Sequence, residues 1–159
     1  MSKFYMSNFS RFRRMNRQFL SLATAVCLVL TSCTPREDCA LLNGALADGN
    51  SLIQEIYEGN RGGPGYNQGI ERQVGRVYFD ISQVIDGLLL SDRRLQTIQI
   101  SLVEAYQQAS DYRYEAADVI ANNPQPTAQI EADIRQLQLD PEANIGTITA
   151  TLRKRCPLR

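Results

Sequence analysis

Apolar residues recur along this chain at intervals of three and four, the spacing that lines one face of a helix. Leu42, Leu46, Gly49, Ile53 and Ile56 form a first stripe, and Ile70, Val74, Val77, Ile81, Val84 and Leu88 form a second. The third is the longest: Leu95, Ile98, Leu102, Ala105, Ala109, Tyr112, Ala116 and Val119 keep the spacing over more than three heptads. Ile130, Ile134 and Leu137, then Ile145, Ile148 and Leu152, make the fourth. The pattern predicts helices over about 35–58, 68–89, 92–121 and 127–155, and hence an all-α, up-down-up-down four-helix bundle.

Boundary signals agree with the stripes. Thr34-Pro35-Arg36-Glu37 reads as a helix start with threonine as cap, and Ser91-Asp92 opens the third helix. Gly59 to Gly69 holds five glycines and a proline in eleven residues and reads as a flexible connection. Asn122-Asn123-Pro124-Gln125-Pro126 turns the chain after the third helix. Two internal signals predict interruptions: Asp48-Gly49-Asn50-Ser51, with Ser51 and Gln54 as a second capping box, and a break at 140–141, with Asp140 as cap and Pro141 in a restarting turn. Ile145 to Leu152 also alternates as a strand would, but Arg153-Lys154-Arg155 suits a helix C-terminus and Pro157 stops it, so helix is expected.

The first 32 residues obey different rules. Arg11, Arg13, Arg14 and Arg17 precede Phe19 to Leu30, an apolar run of 12 residues interrupted only by Ser21 and Thr24. Basic residues, a short apolar run and small residues before a cysteine have the order of a cleaved signal peptide. The run falls short of the roughly 20 residues a spanning helix needs. Leu30-Thr31-Ser32-Cys33 resembles the lipobox of bacterial lipoprotein precursors: an aliphatic residue, two small residues and the lipidated cysteine. That resemblance implies cleavage before Cys33, a thioether-linked diacylglycerol and an N-acyl chain such as palmitate. Two or three chains make a stable anchor. Met15 opens a more typical signal than Met1, which leaves two possible starts of translation. In architecture alone, with no residue motif behind it, a small lipid-anchored helical bundle also resembles the lumenal accessory lipoproteins of cyanobacterial photosystem II.

All 17 acidic residues lie after residue 32, and 5 of the 17 basic ones lie before it, so residues 33–159 carry 12 − 17 = −5. Such a charge argues against a nucleic-acid partner. The chain has no histidine and no tryptophan, which removes Ser-His-Asp triads, Cys-His pairs and histidine metal sites. No catalytic residue, cofactor or metal site is expected. With Cys27 in the signal and Cys33 lipidated, Cys39 and Cys156 remain, and an even pair outside the cytoplasm reads as a disulfide.

Two surfaces follow. If the first helix starts where the fourth ends, Arg36, Arg153, Lys154, Arg155 and Arg159 form a basic collar facing the membrane. Glu104, Asp111, Glu115 and Asp118 share an arc of the third helix and read as a solvated acidic face that meets a partner, because a carboxylate-bridged metal site would need opposing ligands. Tyr112 belongs to the third seam and is expected in the core, whereas Tyr106 and Tyr114 lie outside it as candidate contact residues. The expectation is a lipid-anchored extracytoplasmic interaction or assembly factor, with membrane lipid and one protein as partners. The alternative is a carrier of a small apolar ligand held between the helices.

Overall fold

A computed structural model describes residues 35–60 and 66–157. The described residues form four helices and no strand: α1 over Pro35–Gly59, α2 over Gln68–Asp86, α3 over Arg93–Asn122 and α4 over Ala128–Arg155. They belong to one compact unit, Thr34–Arg159. The proposed signal, Cys33 and Arg159 lie outside the described residues. No described helix is long and apolar enough to cross a membrane.

Each start of α2, α3 and α4 is closed by the residue type that helix capping calls for. The side chains of Asn67, Asp92 and Thr127 accept hydrogen bonds from the first free backbone N–H groups of α2, α3 and α4. α2 ends at Asp86, three residues before the boundary expected at 89. Gly87 caps it, and the Gln99 side chain on α3 donates to the carbonyls of Ile85 at 2.7 Å and Leu88 at 2.9 Å, satisfying acceptors that a terminating helix leaves open. Leu88 still packs against the core from the loop.

Both expected interruptions are absent. α1 runs unbroken through Asp48 to Ser51, and the Ser51 hydroxyl donates back to the Ala47 carbonyl at 3.0 Å instead of capping a new helix. α4 runs unbroken across Asp140-Pro141, where no restart occurs. A proline inside a helix costs about 3 kcal/mol. Here Ile134 and Gln138 before it and Leu152 after it are buried along with Pro141 itself, so tertiary packing holds both halves of α4 in one helix.

α3 is packed against α2 along one side and α4 along another, while α1 lies mainly against α2. Small residues allow two of these approaches. A Cβ on Gly75 would lie 3.2 Å from the Arg113 Cβ and 3.3 Å from the Ser110 carbonyl oxygen, so α2 and α3 pack with no room for a side chain there. A Cβ on Gly49 would fall 2.4 Å from the Ile81 Cδ1, which is how Ile81 seats against α1.

The seams are buried with a rotation the heptad pattern does not show. On α3, Leu95, Ile98, Leu102, Ala105, Ala109 and Ala116 are buried, but Tyr112 and Val119 are only half-buried, and Arg113 and Ile120 occupy the core positions beside them. A straight helix drifts about 20° per heptad from a 3.5-residue repeat. Arg113 stands 113 − 95 = 18 residues after Leu95, five whole turns of 3.6, and so returns to its face. Tyr106 is buried by the same geometry, which corrects its placement as a contact residue. On α2 the shift brings Tyr78 and Ile85 inward and leaves Val77 and Val84 half-buried.

Candidate functional site

The apolar core is divided by charge. One cluster gathers Leu42, Leu46, Ile70, Val74, Ile81, Leu95, Leu102 and Leu152. A smaller one holds Ala116, Ile120 and Ile134. Arg113 lies fully buried, and its Nη1 donates to Glu71 Oε2 on α2 at 2.8 Å, also fully buried. Its Nη2 donates to Glu142 Oε1 on α4. The other oxygen of Glu71 accepts from Gln138 Nε2 at 2.8 Å, and Glu142 Oε1 also accepts from the Tyr78 hydroxyl at 3.0 Å. One cation thus meets two carboxylates, and three helices are joined through side chains alone.

The electrostatics of this layer are internally consistent. Burial pulls the Arg113 guanidinium down, but the hydrogen bond and charge of Glu71 outweigh that and hold it above its ordinary range. It therefore stays charged wherever the chain folds. Burial pushes the Tyr106 hydroxyl up to about 12, and burial followed by the neighbouring Glu142 charge raises Tyr78 further. Tyr57 on α1 is pushed up to about 12, chiefly by burial, with Arg113 acting in the opposite sense. Its hydroxyl lies close enough to the guanidinium to feel the charge, yet neither that hydroxyl nor Arg113 Nε makes a hydrogen bond of ordinary geometry. Aromatic rings flank the cation on one side: the Arg113 Cζ lies 5.9 Å from the Tyr78 centroid, and the Tyr106 ring packs against Tyr78 at a tilt of 58° with centroids 5.7 Å apart. Every charge in the layer is engaged by another side chain, and the layer holds helices together.

A cleft opens over this layer. Among the described residues the backbones of α1 and α4 approach each other only at the disulfide, and the space between them, about 410 Å³, is lined by Ile53 and Tyr57 from α1, Tyr78 and Tyr106 at its floor, and Glu142 and Ile145 from α4. The Glu142 side chain is 40% exposed there.

At one end of the bundle the chain is tied twice. Cys39 in the second turn of α1 and Cys156 after α4 form a disulfide, with Cα atoms 5.5 Å apart across 117 residues of sequence. Asp38, fully buried, accepts from the Ser91 N–H at 2.9 Å, the Ser91 hydroxyl at 2.9 Å and the Asp92 N–H at 2.8 Å, placing an anion at the start of α3 where the helix dipole favours one. Asp38 is therefore a structural brace.

The residues singled out by sequence fall as follows. Arg36, Arg153, Lys154 and Arg155 are exposed on the segments that these two ties join. Glu104, Asp111, Glu115 and Asp118 are all exposed along α3, and Asp118 pairs with Arg72 at 2.9 Å. Tyr114 is partly exposed. The buried Glu71–Arg113–Glu142 layer was missed, since charged residues in an apolar repeat read as surface. The 18-residue return from Leu95 to Arg113 was the available signal.

No protein-family model matches the chain, and neither a curated protein nor a solved structure is detectably similar to it.

Proposed function

We propose that this is a lipid-anchored extracytoplasmic protein, held at a membrane by Cys33, whose helical domain acts as a non-enzymatic interaction or assembly factor. The lipobox and the short apolar run support the anchor, and the Cys39–Cys156 disulfide supports an oxidising compartment. The single observation that carries the reading is the double tie at one end. The disulfide and the Asp38 bonds bring the start of α1, the start of α3 and the end of α4 together. They support an up-down-up-down order in which the anchored end is also the closed end. The rest of the bundle, with Glu104, Asp111 and Glu115 exposed on α3, is then presented away from the lipid to a protein partner. Crosslinking in native membranes followed by mass spectrometry tests this. The expected result is crosslinks from α3 to one protein, lost when Glu104, Asp111 and Glu115 are changed to glutamine. Crosslinks confined to the chain itself would contradict it.

A second reading is favoured by the cleft between α1 and α4, whose volume suits a small ligand and whose walls include Ile53 and Ile145. The carboxylate and three tyrosines on its lining make an amphipathic ligand a better match than a wholly apolar one. Native mass spectrometry of the membrane-extracted protein would show a bound species displaced when Ile145 is changed to tryptophan; an empty chain rules the carrier out.

A further inference from the structure

We propose that the disulfide-tied end of the bundle docks on an anionic bilayer, with Leu89 entering the interface and Arg36, Arg93, Arg94, Arg153, Lys154 and Arg155 meeting the headgroups. The inference rests on the membrane-anchored reading and adds to it residues that lie outside the collar expected from sequence.

Leu89 is 84% exposed, the most exposed of the large apolar side chains among the described residues. Its neighbours are not: Leu90 is buried and Leu88 packs against the core. The loop that carries it is held from several directions. Gln99 donates to the Ile85 and Leu88 carbonyls, Gln96 donates to the Leu90 carbonyl at 2.7 Å, and Asp38 accepts from the Ser91 and Asp92 N–H groups. A loop fastened this firmly loses little freedom on docking, and it holds the middle leucine of three in water with no core to receive it.

Arg93 and Arg94 occupy the first turn of α3, both exposed. Cations at a helix N-terminus oppose the helix dipole, so neither helps α3 to form. The dipole explains Arg153, Lys154 and Arg155 at the end of α4, but it cannot explain these two. A local rule broken without gain to the fold points to a use outside it. Across the joined segments, 35–41, 86–94 and 152–157, six basic residues face four acidic ones, Glu37, Asp38, Asp86 and Asp92. The result is 6 − 4 = +2, in a stretch 33–159 that carries −5. Asp38 is moreover buried and committed to Ser91 and Asp92.

A ring of cations around one projecting leucine complements an anionic lipid surface, where basic side chains take the headgroups and an apolar one the acyl boundary. A second copy is a poor occupant, since an isologous contact through this end would set six cations against six. Chain connectivity favours lipid as well: Pro35 follows Cys33 by two residues, so α1 starts within about 7 Å of a lipidated Cys33.

The test uses residues 33–159 with Cys33→Ser, which keeps the whole compact unit and its disulfide but no anchor, in sedimentation with phosphatidylglycerol-containing and with purely phosphatidylcholine vesicles. Binding to the anionic vesicles that weakens with salt is expected. Leu89→Ser should lower the partition coefficient about tenfold, and Arg93→Gln with Arg94→Gln about fivefold per residue. Circular dichroism and a non-reducing gel verify that each variant keeps its helices and disulfide. No binding to anionic vesicles, or binding unaltered by both variants, overturns the proposal. So does self-association abolished by Leu89→Ser without vesicle binding, which would assign this end to a second copy. Because the probe lacks the anchor, its outcome is separate from whether Cys33 is lipidated, which the mass of the native protein reports.

Discussion

Replacing Arg113 by methionine keeps an unbranched stem and helix propensity and removes the guanidinium with its charge and donors. Glu71, with no exposed side-chain surface, then retains one donor, Gln138, and no counter-charge. Glu142 loses an ion pair but keeps Tyr78 and contact with water, so the penalty falls mainly on Glu71. Breaking a buried ion pair from one side costs about 3–5 kcal/mol, a large part of the 5–15 kcal/mol typical of a domain. Urea unfolding of the oxidised protein, followed by circular dichroism, should therefore show a midpoint lowered by that free energy divided by the m-value, with the m-value itself unchanged. The companion variant, Glu71→Leu with Arg113→Met and Gln138→Leu, removes the charge together with the buried groups around it and leaves the half-exposed Glu142 to Tyr78 and water. It should recover to within about 1 kcal/mol of the parent or exceed it, because well-packed apolar groups often replace a buried pair without loss. An Arg113→Met cost within about 0.5 kcal/mol, the range of ordinary surface changes, would refute the layer as described. A triple variant no more stable than the single one would do the same.

Asp38→Ala should cost about 2–3 kcal/mol by leaving the Ser91 and Asp92 N–H groups without an acceptor, and Asp38→Asn distinctly less, measured by the same denaturation. Cys39→Ala with Cys156→Ala should lower stability by up to about 5 kcal/mol in the chain-entropy treatment of a loop this long, while the helical content of the folded state is retained. Tyr57 and Tyr106, at about 12, and Tyr78 have folded values above the ordinary tyrosine value of about 10, so the folded state holds protons that the unfolded chain has released. Their contribution is intact below about pH 10 and is lost as pH rises toward 12; tyrosinate absorbance should show the exposed tyrosines titrating first and the buried ones only together with unfolding. Gly75→Ala should destabilise by about 1 kcal/mol, overpacking against the Ser110 carbonyl exceeding the helix-propensity gain, as read from the melting temperature.

The four helices were legible in the apolar stripes because period and caps agree, and three of the four starts lie on or next to the residues whose side chains cap them. Where sequence reading failed, packing decided. Ser51 bonds its own helix instead of starting another, and Pro141 is buried within a helix that continues through it. Neither can be read locally, since a turn signal and a tolerated irregularity use the same residues. The exchange of Tyr112 for Arg113 has a geometric origin: a strict heptad count drifts off the true helical face over five turns. Asp38 could not be assigned because its partners lie more than fifty residues away, at Ser91 and Asp92. The cysteine pair could, since only two cysteines remained once the signal and the anchor were set aside. The cleft between α1 and α4 had no sequence signature, because it reflects where two helices do not meet.

The membrane-anchored reading turns on Cys33, which lies outside the described residues. Intact-mass spectrometry of the protein extracted from its native membrane addresses it directly. The expected product begins at Cys33, lacks residues 1–32, and carries a diacylglyceryl group and an acyl chain together with a mass two hydrogens short of the reduced chain for the Cys39–Cys156 bond. A protein that retains Phe19 to Leu30, or one that begins elsewhere with an unmodified Cys33, would contradict the account.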